Sequence, residues 1–245
     1  MQSLALRQLD AANYAGIAEL LQETFFQSTN FVVRLQAMRL LTLNYNTQAI
    51  TVLGAALNDS YELIRRYAGE YAEKNGSAEL IPAWMNAFMQ RSHEKRLRSK
   101  NMGGLSAFDY DLLAKTIKSE AAKHTWYDRA YVDNLLKQIE REKKSMGNDL
   151  AIINDRASKL RDVRIELRSF RNHPCFIAVE PMILLINDEQ VAEELRIIAA
   201  EALGWYNLHH NKTFIVEKLK GINSSNKAVM NEVKRTINRL ESKNR

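Results

Sequence analysis

The sequence predicts an all-α fold built from stacked pairs of helices. Apolar residues recur three and four positions apart through most of the 245 residues, which is the spacing of a helix with one buried face. An aliphatic residue followed by arginine, often with alanine three positions later, returns at a nearly constant period. Only nine glycines and three prolines are available for all the connections, which indicates short turns.

The clearest helix pair covers residues 47–76. Its first helix ends at an Asn-Asp turn, where Asp59 or Ser60 can accept a hydrogen bond from the first amides of the second helix. The second helix continues to about residue 74, and Gly76 can supply the left-handed conformation that stops it. A pair of this size cannot cover both of its apolar faces, so it requires neighbours of the same kind.

The arginine of the repeated pattern marks its period. Arg34, Arg65 and Arg96 follow one another at intervals of thirty-one residues, and Arg164 and Arg196 lie thirty-two apart. The position three residues later is alanine in three units: Ala37, Ala68 and Ala199. This period is that of a repeated helix pair.

The remaining elements are predicted in chain order. Further pairs are expected at residues 14–44, 77–104, 175–207 and 210–240. Between them, Ser106 and Asp109 form an approximate capping box that opens a helix, and a strongly charged partner helix follows at 127–146. The Gly-Asn dipeptide at 147–148 is expected to break the chain before a short helix and a second helix beginning near Ala157.

The combination of an aliphatic residue, arginine and alanine after an Asn-Asp turn resembles the second helix of a HEAT repeat. The resemblance is strongest at residues 47–76 and 180–204 and weakest at 108–157. It implies a right-handed α-α superhelix, an armadillo-like α-solenoid, with about seven helix pairs in a single domain over residues 1–245. Residues 1–12 are interpreted as an incomplete terminal repeat. Two hypotheses follow: the chain is a piece of a longer protein, or its terminal repeat is atypical.

The resemblance also implies a structural role for the repeated arginines. In HEAT arrays the arginine at this position resembles one rung of a ladder and pairs with acidic turn residues of its own or a neighbouring unit. We therefore expect Arg34, Arg65 and Arg196 to be held by carboxylates, as guanidinium groups can be held bidentately. The acidic residues available are Asp59, Asp188 and Glu189.

A solenoid without a closed cavity favours a non-catalytic binding or scaffold module. The predicted partner is another protein or another domain of the same chain, and no cofactor is predicted. The second helices are expected to line one concave wall whose exposed side chains contact the partner. The candidate contact residues are Arg66, Glu70 and Glu73 in the second unit and Arg91, Arg98 and Lys100 near the third.

The formal net charge of +6 supports nucleic-acid binding as the alternative function. One basic cluster lies at residues 91–100, and a second follows the helix predicted at 157–171. Acidic residues interleave the second cluster: Asp155, Asp162 and Glu166. Mixed charge at helical spacing is typical of a solvated helix face, so the sequence favours protein binding.

Signals of catalysis and metal binding are weak. A single His93-Glu94 pair differs from the several His-Glu pairs that hold iron in HEAT-repeat hydroxylases. His209 and His210 are expected to point to different sides of a helix or turn, and Cys175 to be a small core residue.

The least favoured alternative is an enzyme. Trp126, Tyr127 and Asp128, with Asp133, are similar to the tryptophans and aspartate of HEAT-like alkylpurine DNA glycosylases.

Membrane insertion is not expected. No stretch of about 18 apolar residues occurs, and residues 1–10 lack the basic start and apolar run of a secretory signal. The single cysteine excludes an internal disulfide, so stability must come from packing. The sequence does not assign a cellular compartment.

Overall fold

The computed structural model describes residues 2–12, 14–90 and 105–242, and every regular element within these ranges is helical. The predicted all-α class is therefore confirmed. Thirteen α-helices occupy the described residues, and in chain order they are α1 Gln2–Ala11, α2 Ile17–Gln27, α3 Phe31–Asn44, α4 Asn46–Ala56, α5 Glu62–Asn75, α6 Ile81–Gln90, α7 Tyr110–Lys123, α8 Arg129–Asn154, α9 Leu160–Asn172, α10 Val179–Asn187, α11 Glu193–Leu203, α12 Lys212–Lys220 and α13 Lys227–Glu241. Short 3-10 helices occur at Ala78–Leu80, Leu105–Ala107 and Phe176–Ala178.

The helices lie in two rows at each end of the molecule. Towards the N terminus, α1, α3 and α5 are neighbours in one row, and α2, α4 and α6 are neighbours in the other. Towards the C terminus, the rows are α9, α11 and α13 on one side and α8, α10 and α12 on the other. Every helix of these rows contacts at least one of its neighbours in the chain as well as a row neighbour.

The core is a single cluster of buried side chains that extends from Leu6 to Leu240. The alanines of the repeated pattern lie inside it, since Ala37, Ala68 and Ala199 have no exposed surface. Interiors pack at crystal-like density, so these small residues mark positions where helices approach closely.

The ends of α5 follow local rules that the sequence carries. Asp59 Oδ1 accepts a hydrogen bond from the N–H of Tyr61 at 2.9 Å, just before the helix begins at Glu62. Gly76 ends the helix with a φ of 66°, as predicted, because a residue without Cβ adopts the left-handed conformation at no steric cost.

The predicted capping box at Ser106 is wrong. Asp109 itself is the N-cap of α7, and its Oδ1 accepts hydrogen bonds from the N–H groups of Asp111 and Leu112. The Ser106 hydroxyl instead donates to the carbonyl of Pro174 at 2.8 Å. Ser106 therefore fixes a contact between distant parts of the chain, which no local pattern indicates.

The predicted break at residues 147–148 is also wrong. Helix α8 runs without interruption from Arg129 to Asn154, so the separate short helix expected after the break does not exist. Glycine costs a helix interior only about 1 kcal/mol relative to alanine. The burial of Leu150 and Ile153 beyond Gly147 outweighs that cost, because each buried aliphatic side chain contributes about 2 kcal/mol.

None of the described helices combines the length and the apolar character that crossing a membrane requires.

Candidate partner-binding surface

Arg34 and Arg65 both reach the turn between α4 and α5. The Arg34 guanidinium forms an ion pair with Asp59, and its Nε donates to the carbonyl of Phe25 at 3.0 Å. Arg65 differs from the expectation of a carboxylate partner, because its Nη1 donates to the carbonyls of Asp59 and Ser60, each at 2.8 Å. Both arginines therefore hold the turn in place, one through a carboxylate and the other through backbone oxygens.

Arg196 is 2% exposed and joins the turn after α10 to the turn before α13. Its Nε donates to the carbonyl of Ile186 at 2.8 Å, and its two Nη atoms donate to the two oxygens of Glu189 at 3.0 and 3.1 Å. Nη2 also donates to the hydroxyl of Ser224, in the turn between α12 and α13, at 2.7 Å. The hydrogen bonds from Arg196 and Ser224 lower the pKa of Glu189 to about 2.

Arg164 and Asp188 are not partners of each other. Arg164 donates to Glu194 of α11 at 2.6 Å, whereas Asp188 accepts from Arg156 at 2.7 Å. The two pairs join residues that are 30 and 32 positions apart in the chain.

The residues predicted to contact a partner are only partly described. Arg66 and Glu70 lie one turn apart on α5 and form an ion pair, with 3.5 Å between Nε and Oε1. Glu73, on the same helix, is half-buried. Three further candidates lie outside the described residues: Arg91, Arg98 and Lys100.

Trp205 forms the most distinctive surface feature of the C-terminal rows. Its side chain follows the end of α11 and is 49% exposed. The guanidinium carbon of Arg171 lies over the indole at 5.3 Å from the ring centre, and that of Arg239 at 5.8 Å. We name Arg171, Glu201, Trp205 and Arg239 the Trp205 clamp.

The clamp is held by contacts to α11. Arg171 Nη1 donates to Glu201 Oε1 at 3.0 Å, and Arg239 Nη1 lies 3.5 Å from the backbone oxygen of Glu201. Arg239 can lie here because residue 204 is glycine, since a Cβ at Gly204 would come within 2.5 Å of Arg239 Nη1. The indole and both guanidinium groups are therefore positioned before any partner binds.

Charges beside the clamp are mixed. Each of three carboxylates of α11 accepts from a neighbouring helix or its cap, and the pairs are Glu193 with Asn226, Glu194 with Arg164, and Glu201 with Arg171. On α9, Arg161 and Arg168 are exposed, and no carboxylate of the described residues pairs with either. The basic cluster of residues 91–100 lies outside the described residues.

Trp205 is not among the contact residues that the sequence predicts. A signal was present, because Arg171, Trp205 and Arg239 follow one another at intervals of thirty-four residues. Such spacing places them at or just after the C-terminal ends of α9, α11 and α13, where they meet on one surface.

The four residues compared with DNA glycosylases have different roles. Asp128 is the N-cap of α8 and accepts from the N–H of Ala130 at 2.8 Å. Trp126 is 51% exposed and packs edge-on against Tyr127, with 4.5 Å between ring centres. Tyr127 and Asp133 line a cleft of about 370 Å³ between α7 and α8.

His209 and His210 do not point to different sides, so that expectation is wrong. Their rings stack with centres 4.6 Å apart, in the loop between α11 and α12. His209 Nε2 donates to the carbonyl of Ala107, and His210 Nδ1 donates to the carbonyl of Asn75, each at 2.8 Å. These contacts, named the His209–His210 seam, join the loop after α11 to the end of α5 and to the 3-10 helix at Leu105–Ala107.

Two further observations concern groups that could carry chemistry. Burial raises the pKa of the Cys175 thiol to about 11, and Tyr206 exchanges hydrogen bonds with the backbone of this residue. Within the described ranges, no group of three or more His, Cys, Asp or Glu side chains is arranged to hold a metal ion.

Comparison of the chain with protein-family models, with curated proteins and with solved structures finds no match.

Proposed function

We propose that this chain is a non-catalytic protein-binding or scaffold module, in which helix pairs stack as a right-handed, HEAT-like α-solenoid. Its partner is another protein or another domain of the same chain. The binding surface consists of α9, α11 and α13, and the Trp205 clamp is its centre.

The stacking proposal is supported by contacts that recur at the repeat distance. Row neighbours are two helices apart in both halves of the molecule. Hydrogen bonds such as Arg164 to Glu194 and Arg171 to Glu201 join residues that are 30 positions apart. Helix α8 packs against α7, α9 and α10. In this proposal it belongs to two helix pairs: it is the second helix of the pair with α7 and the first helix of the pair with α9.

The observation that carries the binding proposal is the half-exposed indole of Trp205 beside two arginines. Tryptophan and arginine dominate the residues that contribute most to binding at protein interfaces. The Trp205 indole is 49% exposed and is already positioned by the two arginines. A partner can therefore bury apolar area against it without the entropy cost of ordering this side chain.

Site-specific photo-crosslinking tests this proposal in the cells that express the protein. A benzoylphenylalanine replaces Ile165, which is 50% exposed on α9, and a matched control replaces Leu184, which is 67% exposed on α10 in the other row. We expect a discrete crosslinked protein from position 165 and none from position 184. Equal labelling at the two positions, or none at position 165, contradicts a binding surface on this row.

Nucleic-acid binding is the second candidate. The observation in its favour is that Arg161 and Arg168 are exposed and that no carboxylate of the described residues pairs with them. Binding of this kind depends steeply on salt, because phosphate contacts release counterions. A mobility-shift assay with duplex and single-stranded DNA at low salt measures it. The glycosylase alternative is tested with DNA that contains methylated bases, by measuring whether the protein releases the free methylated base.

A further inference from the structure

We infer that the Trp205 clamp binds an acidic peptide segment, rich in Asp and Glu, of the partner protein. The inference rests on the proposed function and adds the chemistry of the partner. It follows from the charges of the clamp, from its fixed geometry and from the surface around it.

The first step is the charge of the clamp. Glu201 pairs with Arg171, so one cation is neutralised. Arg239 has a backbone oxygen beside it, and among the described residues no carboxylate pairs with it. The clamp therefore presents one uncompensated guanidinium next to an exposed indole. A carboxylate can accept two parallel hydrogen bonds from such a group, which gives geometric specificity as well as attraction.

The second step is the fixed geometry. Arg171 is held by Glu201, and Arg239 fills the space above Gly204. A partner carboxylate therefore meets a guanidinium that has already lost much of its side-chain freedom. Preorganisation of this kind raises affinity because less entropy is lost on binding.

The third step separates a peptide from a nucleic acid. Single-stranded nucleic acids bind by stacking bases on aromatic rings along a positive groove. Both guanidinium groups already lie over the indole where a base would stack. An acidic peptide needs no stacking surface, because its carboxylates can reach the arginines while its apolar side chains contact the part of Trp205 that remains exposed.

A peptide selection tests the inference with the purified full chain. A random peptide library displayed on phage is selected on the wild type and depleted on the Trp205→Ala variant, at about 0.15 M salt so that distant charges are screened. We expect the recovered peptides to carry net negative charge. Neutral or basic peptides, peptides that bind the variant equally, or no recovered peptide would overturn the inference.

Variants then measure the contribution of each group to the affinity of one recovered peptide. We expect Trp205→Ala and Arg239→Glu each to weaken binding by about tenfold or more. Glu201→Gln, which leaves the Arg171 charge unpaired, should strengthen binding. Arg141→Glu makes the same charge change on the exposed surface of α8 and should alter binding by less than about twofold.

Two controls keep the outcomes distinct. Circular dichroism and thermal unfolding verify that each variant is folded. A labelled single-stranded oligonucleotide that binds the wild type and is lost with Trp205→Ala would assign the clamp to nucleic acid and overturn the inference. If position 165 crosslinks to a protein but the phage selection recovers no acidic peptide, the binding surface is supported and the acidic segment is rejected. Failure of the further inference is thereby distinguished from failure of the proposed function.

Discussion

His210 donates its backbone N–H to the carbonyl oxygen of Asn75 at 2.9 Å, although 135 positions separate the two residues. His210 Nδ1 reaches the same oxygen, and the neighbouring His209 reaches Ala107. Two imidazoles thereby fasten one loop of the C-terminal rows to the end of α5. The stability of this junction should depend on the protonation state of His209, whose pKa is lowered by burial.

Acid should weaken the fold through His209. This residue is 1% exposed, its Nε2 donates to Ala107, and its Nδ1 accepts from the N–H of Asn211 at 3.1 Å, so the neutral imidazole satisfies both nitrogens. Burial lowers its pKa from 6.5 to about 4. The neutral form is thus favoured in the folded state. Its contribution is complete above pH 6.5 and is lost as the pH falls through 4.

We expect a loss of about 3 kcal/mol in the free energy of unfolding across this window, measured by urea denaturation. His209→Gln should remove most of that dependence. His173→Gln, at an exposed histidine, should retain it. An unchanged pH profile in His209→Gln would show that other groups control acid stability.

Replacement of Arg196 by alanine should lower the free energy of unfolding by about 2 to 3 kcal/mol. The change removes the hydrogen bonds to Ile186, Glu189 and Ser224 and leaves the buried carbonyl of Ile186 without this donor. Arg156→Ala is the matched control, because that side chain is 70% exposed in its pair with Asp188. It should cost less than about 1 kcal/mol, since exposed ion pairs contribute little. Similar losses in the two variants would contradict the role assigned to Arg196.

Gly76→Ala should destabilise the protein by about 2 kcal/mol or more in chemical denaturation. The residue has a φ of 66°, and an added Cβ would lie 2.3 Å from the backbone oxygen of Ala107. A side chain is therefore opposed both by the left-handed backbone conformation and by the close approach of the Ala107 carbonyl. A variant as stable as the wild type would show that residue 76 and the backbone of Ala107 do not approach this closely.

Gly147→Ala should have the opposite effect. Nothing lies within 4 Å of the Cβ position in the middle of α8, so the substitution should stabilise the helix by about 0.5 to 1 kcal/mol. Thermal unfolding measures the gain. A loss of stability would indicate that the helix is interrupted at residue 147, as the sequence pattern suggested.

Gly204→Ala should displace Arg239 from Trp205 and leave the fold intact. The new Cβ would lie 2.5 Å from Arg239 Nη1, so it would push the guanidinium away from its place over the indole without requiring the backbone to shift. We expect altered tryptophan fluorescence with less than about 1 kcal/mol change in stability. Trp84 is buried and Trp126 lies in another loop, so a Trp205→Phe background identifies the source of the signal. Fluorescence that does not respond to Gly204→Ala would contradict the proximity of Arg239.

Sequence patterns predicted elements whose causes are local. Helix α5 was anticipated because the turn at Asp59 and the left-handed Gly76 lie at its own ends. The predicted break at residue 147 is wrong because the sequence shows the helix-breaking glycine but not the burial of Leu150 and Ile153. That burial depends on neighbouring helices. Helical propensity and tertiary burial are comparable in size, so either can decide a single position.

The candidate surface was less accessible to sequence analysis. Arg66 and Glu70 were selected for exposure, but exposure alone does not distinguish a binding residue from a solvated ion pair. Trp205 becomes conspicuous only when Arg171 and Arg239 lie over its ring, and the two arginines belong to different helices. The seam depends on contacts across 102 and 135 positions, which no periodic pattern encodes.

The uninterrupted α8 has a mechanical consequence. Its 26 residues span about 39 Å at 1.5 Å per residue. Arrays of short helices flex slightly at each connecting loop, whereas a continuous helix of this length acts as a strut. Bending of the molecule should therefore concentrate at the loops before and after α8. Helices α9, α11 and α13, which carry the Trp205 clamp, would then move together as a rigid body.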